Sequence, residues 1–475
     1  MTWLAIVEIV WVVGLCVWII LERRSPVATL AWILVLAWLP LLGIAVYLLI
    51  GPRRLHRKRR RYRKARARFS EVSQAMRAAC GPPTGLCSGN ETWLQVMGLV
   101  ERAGEAPPLR ARQVELFSNG DACFAALEQK IAGARHHVHL EYYIWEPDET
   151  GTRLRDLLCR RAADGVHVRL LVDAIGSSRL TRRFLKPLRE SGVEVARFNP
   201  VSLARFRPGL INFRTHRKIV ICDGTSGFIG GINICDDHSA QVKGPDAWRD
   251  THLLVEGPPV AWLQLVFLED WHFATGNAPY SPEYFPPAEA PCDGPWVQIV
   301  ASGPDQDFYA IHKLYFAAIA GARHRVWLTT PYFVPDEAVL SALVTAALRG
   351  TEVKILVPKR GDSWLVTAAA RSYFDELVQS GVRVFEYQPA MLHAKTMVVD
   401  QDIAVVGTAN LDNRSFRLNF EVVAAIYDSQ VAARLAELFE GDLLRSKEYS
   451  LRQAKRASML KRLGEATARL LSPIL

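Results

Sequence analysis

The chain has 475 residues, 50% hydrophobic and 22% charged, with a formal net charge of +10, enough for two to four domain-sized units. Eleven Lys or Arg and no acid lie between Arg53 and Arg68, and without them the net charge would be −1. The basicity is therefore local, which argues against a uniformly basic nucleic-acid binder. The eight cysteines form no CxxC pair and no zinc-ligand cluster, so they read as buried reduced thiols.

In chain order, residues 3–21 are almost wholly apolar, with Glu8 the one charge, and residues 28–50 form a second apolar run without charge. At about 1.5 Å rise per residue, each run is long enough for the roughly 30 Å hydrocarbon core of a bilayer. The short link LERRSPV demands a tight hairpin, and Trp3, Trp18, Trp38 and Tyr47 sit near the run ends, as interfacial aromatics do. A cleaved signal peptide would need a basic leading segment and a small-residue cleavage site, and neither is present. The expectation is a retained transmembrane hairpin over residues 1–52. The basic stretch that follows is expected on the cytoplasmic side, against anionic headgroups. Residues 79–108, rich in Gly, Pro and Ser, read as a linker, so that 53–108 is a basic juxtamembrane segment plus linker.

From about Val114, strand and helix patterns alternate, an α/β signature. The pattern then recurs. Residues 131–149, IAGARHHVHLEYYIWEPDE, align without gaps on 319–337, IAGARHRVWLTTPYFVPDE, with eleven identities in nineteen. DGVHVRLLV matches RGTEVKILV, and SGVEVARFNP matches SGVRVFEYQP. The expected organisation is two tandem α/β repeats related by a pseudo-twofold axis, over 109–291 and 292–442. The first carries an extra segment, VSLARFRPGLINFR, just before His216. Residues 443–475 read as a basic amphipathic helix that either packs on the repeats or lies at a membrane surface.

The same unit occurs once per repeat. THRKIVICDGTSGFIGGIN supplies His216, Lys218, Asp223, Gly230 and Asn233, and LHAKTMVVDQDIAVVGTAN supplies His393, Lys395, Asp400, Gly407 and Asn410 at the same offsets. His and Lys two apart on a strand point to one face. IVIC and TMVV suit a buried strand, DGTSG and DQD are turn chemistry, and small residues close the second strand where a ligand can approach. Two such units brought together supply two imidazoles, two ammoniums and two carboxamides. Phosphodiester transfer needs those groups: a nucleophile, an acid for the leaving oxygen, and cations on the nonbridging oxygens. No Asp/Glu/His cluster has metal spacing in the sequence, and the chemistry requires no metal or other cofactor. Asp250 and Glu421 occupy equivalent places at strand starts after the two units and are expected to orient the imidazoles. Asp223 and Asp400 belong to the candidate catalytic motif but read as turn-fixing residues rather than proton carriers. Tyr142, Tyr332 and Phe333 suit either a substrate wall or the core.

The paired HxK(x4)D(x6)G units resemble the phospholipase D superfamily. The order of parts, with SPVATLAWILVLAWLP, WRDTH, TTPYFVPD and GTANLDNRSFRLNFE, is similar to bacterial cardiolipin synthases over essentially the whole chain. The resemblance implies transfer of a phosphatidyl group between two phosphatidylglycerols, with phosphatidylglycerol and other anionic lipid as partners in a bacterial inner membrane and no nucleic acid. It implies His216 and His393 as nucleophile and acid, with position leaning to His216 as the attacking group. Lys218, Lys395, Asn233 and Asn410 would hold the phosphate. Water or another alcohol as acceptor would make a hydrolase or a different phosphatidyltransferase. Many superfamily members carry Gly-Ser where this chain has Gly230-Gly231 and Gly407-Thr408. Thr408 keeps a hydroxyl for phosphate and Gly231 does not.

Overall fold

The computed structural model describes residues 2–21, 26–38, 53–80, 91–200, 213–287, 291, 293–306, 308–451 and 458–472. The chain divides into two compact units, one holding the N-terminal helices and the other running from Tyr62 onward. In the first, helix α1 (Thr2–Leu21) and helix α2 (Pro26–Trp38) pack through Leu15, Trp18, Ile19, Trp32 and Leu36. Among the described residues no helix is long and apolar enough to cross a membrane. The rest of the second apolar run, 39–50, lies outside the described residues. Helix α3 (Arg53–Arg68) carries the basic stretch.

Each repeat builds one mixed sheet. The first contains β1 (Gln113–Phe117), β2 (His137–Tyr142), β3 (His167–Asp173), β4 (Glu194–Phe198), β5 (Ile219–Cys222), β6 (Ser226–Gly230) and β7 (His252–Glu256), in the order β1-β7-β6-β5-β2-β3-β4. The second contains β8 (Trp296–Ser302), β9 (Arg325–Thr329), β10 (Glu352–Pro358), β11 (Arg383–Tyr387), β12 (Thr396–Val399), β13 (Ile403–Gly407) and β14 (Glu421–Tyr427), in the order β8-β14-β13-β12-β9-β10-β11. Seven added to each label of the first order gives the second, so the sequence duplication is also a topological one. In both, helices connect the parallel strands, whereas the motif itself is an antiparallel hairpin, Ile219 opposite Ile229 and Thr396 opposite Val406. The strands of each hairpin are buried on both faces, which explains why none carries a charge and why IVIC and IAVVG are continuous apolar runs. Helix starts are fixed by side-chain caps: Asn119 accepts from Ala122 N, Asp148 from Gly151 N and Asp336 from Val339 N.

Two corrections to the sequence reading concern the segment before the repeats. Within the presumed linker, Glu91–Arg102 is a helix that buries Val96, Met97 and Val100 in the second sheet's core. Its apolar positions three and four apart outweigh the surrounding Gly and Pro. Strand Leu109–Arg110 opens the first repeat in sequence but pairs with β8 at the edge of the second sheet. The insert before His216 falls largely on 201–212, outside the described residues.

The halves are joined where the site lies. The segment before His216 pairs with the segment before Glu421: His216 N donates to Phe420 O at 2.9 Å and Phe420 N to Arg214 O at 3.0 Å. The segment before His393 pairs in the same way with that before Asp250: Arg249 N donates to Met391 O at 2.9 Å and His393 N to Arg249 O at 2.7 Å.

Candidate active site

Both His-Lys pairs enter the site immediately before the first strand of their hairpin, and all four side chains are buried. Each ammonium donates to its own motif's backbone, Lys218 Nζ to His216 O at 2.7 Å and Lys395 Nζ to His393 O. The carboxylates that meet the imidazoles are exchanged between halves. His216 Nδ1 lies 3.0 Å from Glu421 Oε2, and His393 Nδ1 lies 2.7 Å from Asp250 Oδ2. The sequence reading paired these four residues by their place in the duplication. The crossing follows from the strand pairing described above, and it leaves each Nε2 as the nitrogen free for chemistry.

Each carboxylate is itself held. Thr408 Oγ1 donates to Glu421 Oε2 at 2.5 Å and Ser415 Oγ to Oε1 at 2.8 Å. Thr408, expected on phosphate, thus gives its hydroxyl proton to Glu421. In the first half a Cβ on Gly231 would lie 2.1 Å from Asp250 Oδ1. The shorter Asp with Gly231 and the longer Glu with Thr408 are therefore two compensating ways to fill one space. Since the Asp250 carboxylate can yield only by releasing His393, Gly231→Ser is expected to cost on the order of 10²-fold in turnover. A kinetic comparison with Thr408→Gly, at equal thermal midpoint, checks this; wild-type turnover in Gly231→Ser would refute the steric account.

The electrostatics couple the halves. Burial holds the His216 imidazole below its ordinary pKa against the pull of Glu421, and burial together with Lys395, Lys218 and His216 holds His393 well below. Burial and the Lys395 charge push Lys218 down to about 7, and burial pushes Lys395 down to about 8 despite Asp250 and Glu421. An anionic phosphate entering this cluster raises all four, because it favours each protonated form. In the empty enzyme both imidazoles are held below their ordinary pKa and Lys218 loses its proton as pH rises through about 7, so kcat/KM should already be falling on the alkaline side by that pH. Turnover at saturating substrate, with the phosphate in place, should stay level to higher pH. Parallel kcat and kcat/KM profiles would rule this out.

Asn233 and Asn410 are buried beside the pairs. Asn233 Oδ1 accepts from Ile144 N at 3.2 Å, and Asn410 N donates to Ser415 Oγ at 3.1 Å. Asp223 and Asp400, counted with the candidate catalytic set through their motif, sit at the opposite ends of β5 and β12. At about 3.3 Å per residue this is roughly 20 Å from the imidazoles. Both have positive φ, 53° and 51°. Asp223 takes the backbone N–H groups of Arg135, His136 and His137 at 2.7–2.9 Å, and Asp400 those of Arg323, His324 and Arg325 at 2.7–3.1 Å. They tie each hairpin turn to the start of β2 or β9, and burial notwithstanding, those donors keep Asp223 below its ordinary pKa. In this geometry they anchor the hairpin turns, as the turn-fixing reading expects.

Several neighbours escaped the sequence reading. Tyr143, not Tyr142, meets His216 edge-to-face with ring centroids 4.9 Å apart, and Lys218 Nζ lies 5.3 Å from the Tyr143 ring. Tyr142 and Phe333 are core residues. Side chains alternate on a strand, so the period-two rule selects one of the adjacent tyrosines, but only a known register says which. The rings of Trp248 and His238 lie tilted against His393, with centroids 5.3 and 5.8 Å away. Among the described residues, His238, Asp250 and His393 form one trio whose ligand atoms lie within 4.8 Å of one another, although no metal spacing was visible in the sequence.

Comparison with known proteins agrees with this geometry. The family described as "Cardiolipin synthase, PLD-like domain" matches residues 127–271 and 315–443, and "Phospholipase_D-nuclease N-terminal" matches 9–52. The chain is 42% identical over 462 residues to a protein named cardiolipin synthase from Geobacillus sp. (strain WCH70), covering 96% of this chain and 90% of that one. It is 39% identical over 483 residues to cardiolipin synthase 1 of Bacillus anthracis, covering 100% and 94%. The crystal structure of phosphatidylserine synthase from Haemophilus influenzae Rd KW20 shares the fold, with a TM-score of 0.62 at 15% identity over 80% of this chain and 100% of that one. The chain belongs to the phospholipase D-like cardiolipin synthase family.

Proposed function

We propose that the chain makes cardiolipin, moving a phosphatidyl group from one phosphatidylglycerol to another and releasing glycerol. The carrying observation is the crossed pairing of two imidazoles with two carboxylates around two buried ammoniums. One neutral imidazole Nε2 attacks phosphorus; the P–O bond to the glycerol headgroup breaks, and the opposite imidazolium protonates the leaving oxygen. The hydroxyl of a second phosphatidylglycerol then attacks the phosphohistidine, giving its proton to the imidazole that acted as acid, and the P–N bond breaks. His216 is the proposed first nucleophile. Lys218, Lys395, Asn233 and Asn410 neutralise and hold the nonbridging oxygens. Asp250 and Glu421 fix tautomer and ring orientation and balance the imidazolium charge.

The apolar runs at 3–21 and 28–50 support an N-terminal hairpin that spans a bacterial inner membrane. Under the positive-inside rule the basic helix α3 supports a cytoplasmic side for the catalytic repeats. Supplied with radiolabelled phosphatidylglycerol, membranes containing the protein should form cardiolipin and glycerol. Phosphatidic acid as the main product would instead make water the acceptor. Trapping the phosphoenzyme and mapping the labelled peptide tests His216 against His393.

A further inference from the structure

The C-terminal helix α6 (Met459–Leu470) packs the wrong way round for a helix whose leucines belong to a core. It lies along helix α5 (Trp364–Gln379). Its inward side is small and polar: Ala468 is its buried residue, and Arg469 lies 4.3 Å from the Tyr373 ring and pairs with Glu376 at 3.3 Å. Beyond its end, Ser472 accepts from Tyr373 OH at 2.9 Å and from Asn413 Nδ2 at 3.1 Å. At 3.6 residues per turn, Leu460, Leu463, Leu470 and Leu471 fall on one stripe with Met459 at its border. That stripe faces outward, from 38% exposed at Leu471 and 63% at Leu463 to 88% at Met459. Ordinary packing would turn it inward. Trp364, 77% exposed, lines a groove with Arg360, Lys461, Gly464 and Glu465.

We propose that this face docks on an anionic bilayer surface, its leucines and Trp364 entering the headgroup boundary. Charge selects that occupant. Residues 445–475 hold eight Lys or Arg against two acids, and Lys461 and Arg462 are exposed on α6. An exposed apolar stripe on a cationic helix is the pattern of a helix lying in a membrane interface. Through Ser472 and Asn413 the helix end is tied to the loop that carries Asn410. Docking would therefore orient the candidate site relative to the lipid surface. The anionic-lipid substrate comes from the functional reading above; the docking face comes from the exposed stripe and its charge.

The test uses the full chain reconstituted in vesicles of phosphatidylcholine with or without phosphatidylglycerol, with a photoreactive benzophenone amino acid in place of Leu463. The expected product is a lipid adduct, stronger with phosphatidylglycerol. A crosslink to a second copy of the chain, or no adduct, overturns the proposal. In parallel, combined Leu460→Asn, Leu463→Asn and Leu470→Asn should lower activity on vesicles by about tenfold while leaving activity in detergent micelles and the thermal midpoint unchanged. An equal loss in both media would assign the stripe to the fold and overturn docking. If the unsubstituted chain makes no cardiolipin in micelles, the functional reading fails, and the lipid adduct still decides the docking.

Discussion

Alanine in place of His216 or His393 is expected to lower cardiolipin formation in membranes by at least about 10⁴-fold. Each imidazole has a separate task in each half-reaction, so neither can cover for the other. Full activity in His393→Ala would end the two-imidazole scheme. The crossed carboxylates make a sharper expectation. Glu421→Ala and Asp250→Ala remove no reacting atom, yet each takes the carboxylate from a buried imidazole's Nδ1, leaving His216 the Thr408 carbonyl at 3.1 Å. Loss of orientation costs on the order of 10²- to 10⁴-fold in comparable triads. Because Glu421 acts through His216, the pair His216→Ala with Glu421→Ala should be no worse than His216→Ala alone. A further drop in the double variant would mean that Glu421 acts elsewhere.

How far the sequence carried this site depends on the kind of information each part needs. The HxK spacing sets two side chains on one face of a strand, which is local geometry, and both pairs were legible from it. The partnership of Asp250 and Glu421 with the imidazoles followed from their matching positions in the duplication. That each serves the opposite half did not follow, because it is set by the pairing of Arg249 with Met391 and Phe420 with Arg214. The helix 91–102 was hidden because composition was weighed above its apolar spacing. Thr408 looked like a phosphate ligand until Glu421 was found within its reach. Arg217, between His216 and Lys218, gave no sign of its importance, since on a strand it points away from both and its partner lies 53 residues on.

That partner supports the second large effect. Arg217 donates through Nη1 to Asp270, on helix α4 (Val260–Thr275), and both side chains are buried. Arg217 also donates through Nε to Glu421 O at 3.1 Å, through Nη2 to Ser302 O at 3.3 Å and through Nη1 to Tyr62 OH at 3.1 Å, while Tyr62 OH donates to Asp270. Burial would lower the guanidinium pKa, but Asp270, Tyr62 and Glu141 raise it well above the ordinary value, so the cation persists. Asp270→Ala leaves that cation in the interior without its counter-charge, at an expected cost of about 3–5 kcal/mol. For a domain of this size that is roughly a 5–10 °C fall in the thermal midpoint. Replacing both partners by apolar residues, Arg217→Met with Asp270→Leu, should recover most of the loss, because the unpaired charge and not the missing contact sets the cost. A midpoint for Asp270→Ala within about 1 °C of the unsubstituted protein, at the same scan rate, would show that water reaches Arg217. The segment between His216 and Lys218 would then be held by its backbone alone, and Asp270→Ala should leave turnover intact; a buried pair predicts that turnover falls along with the midpoint.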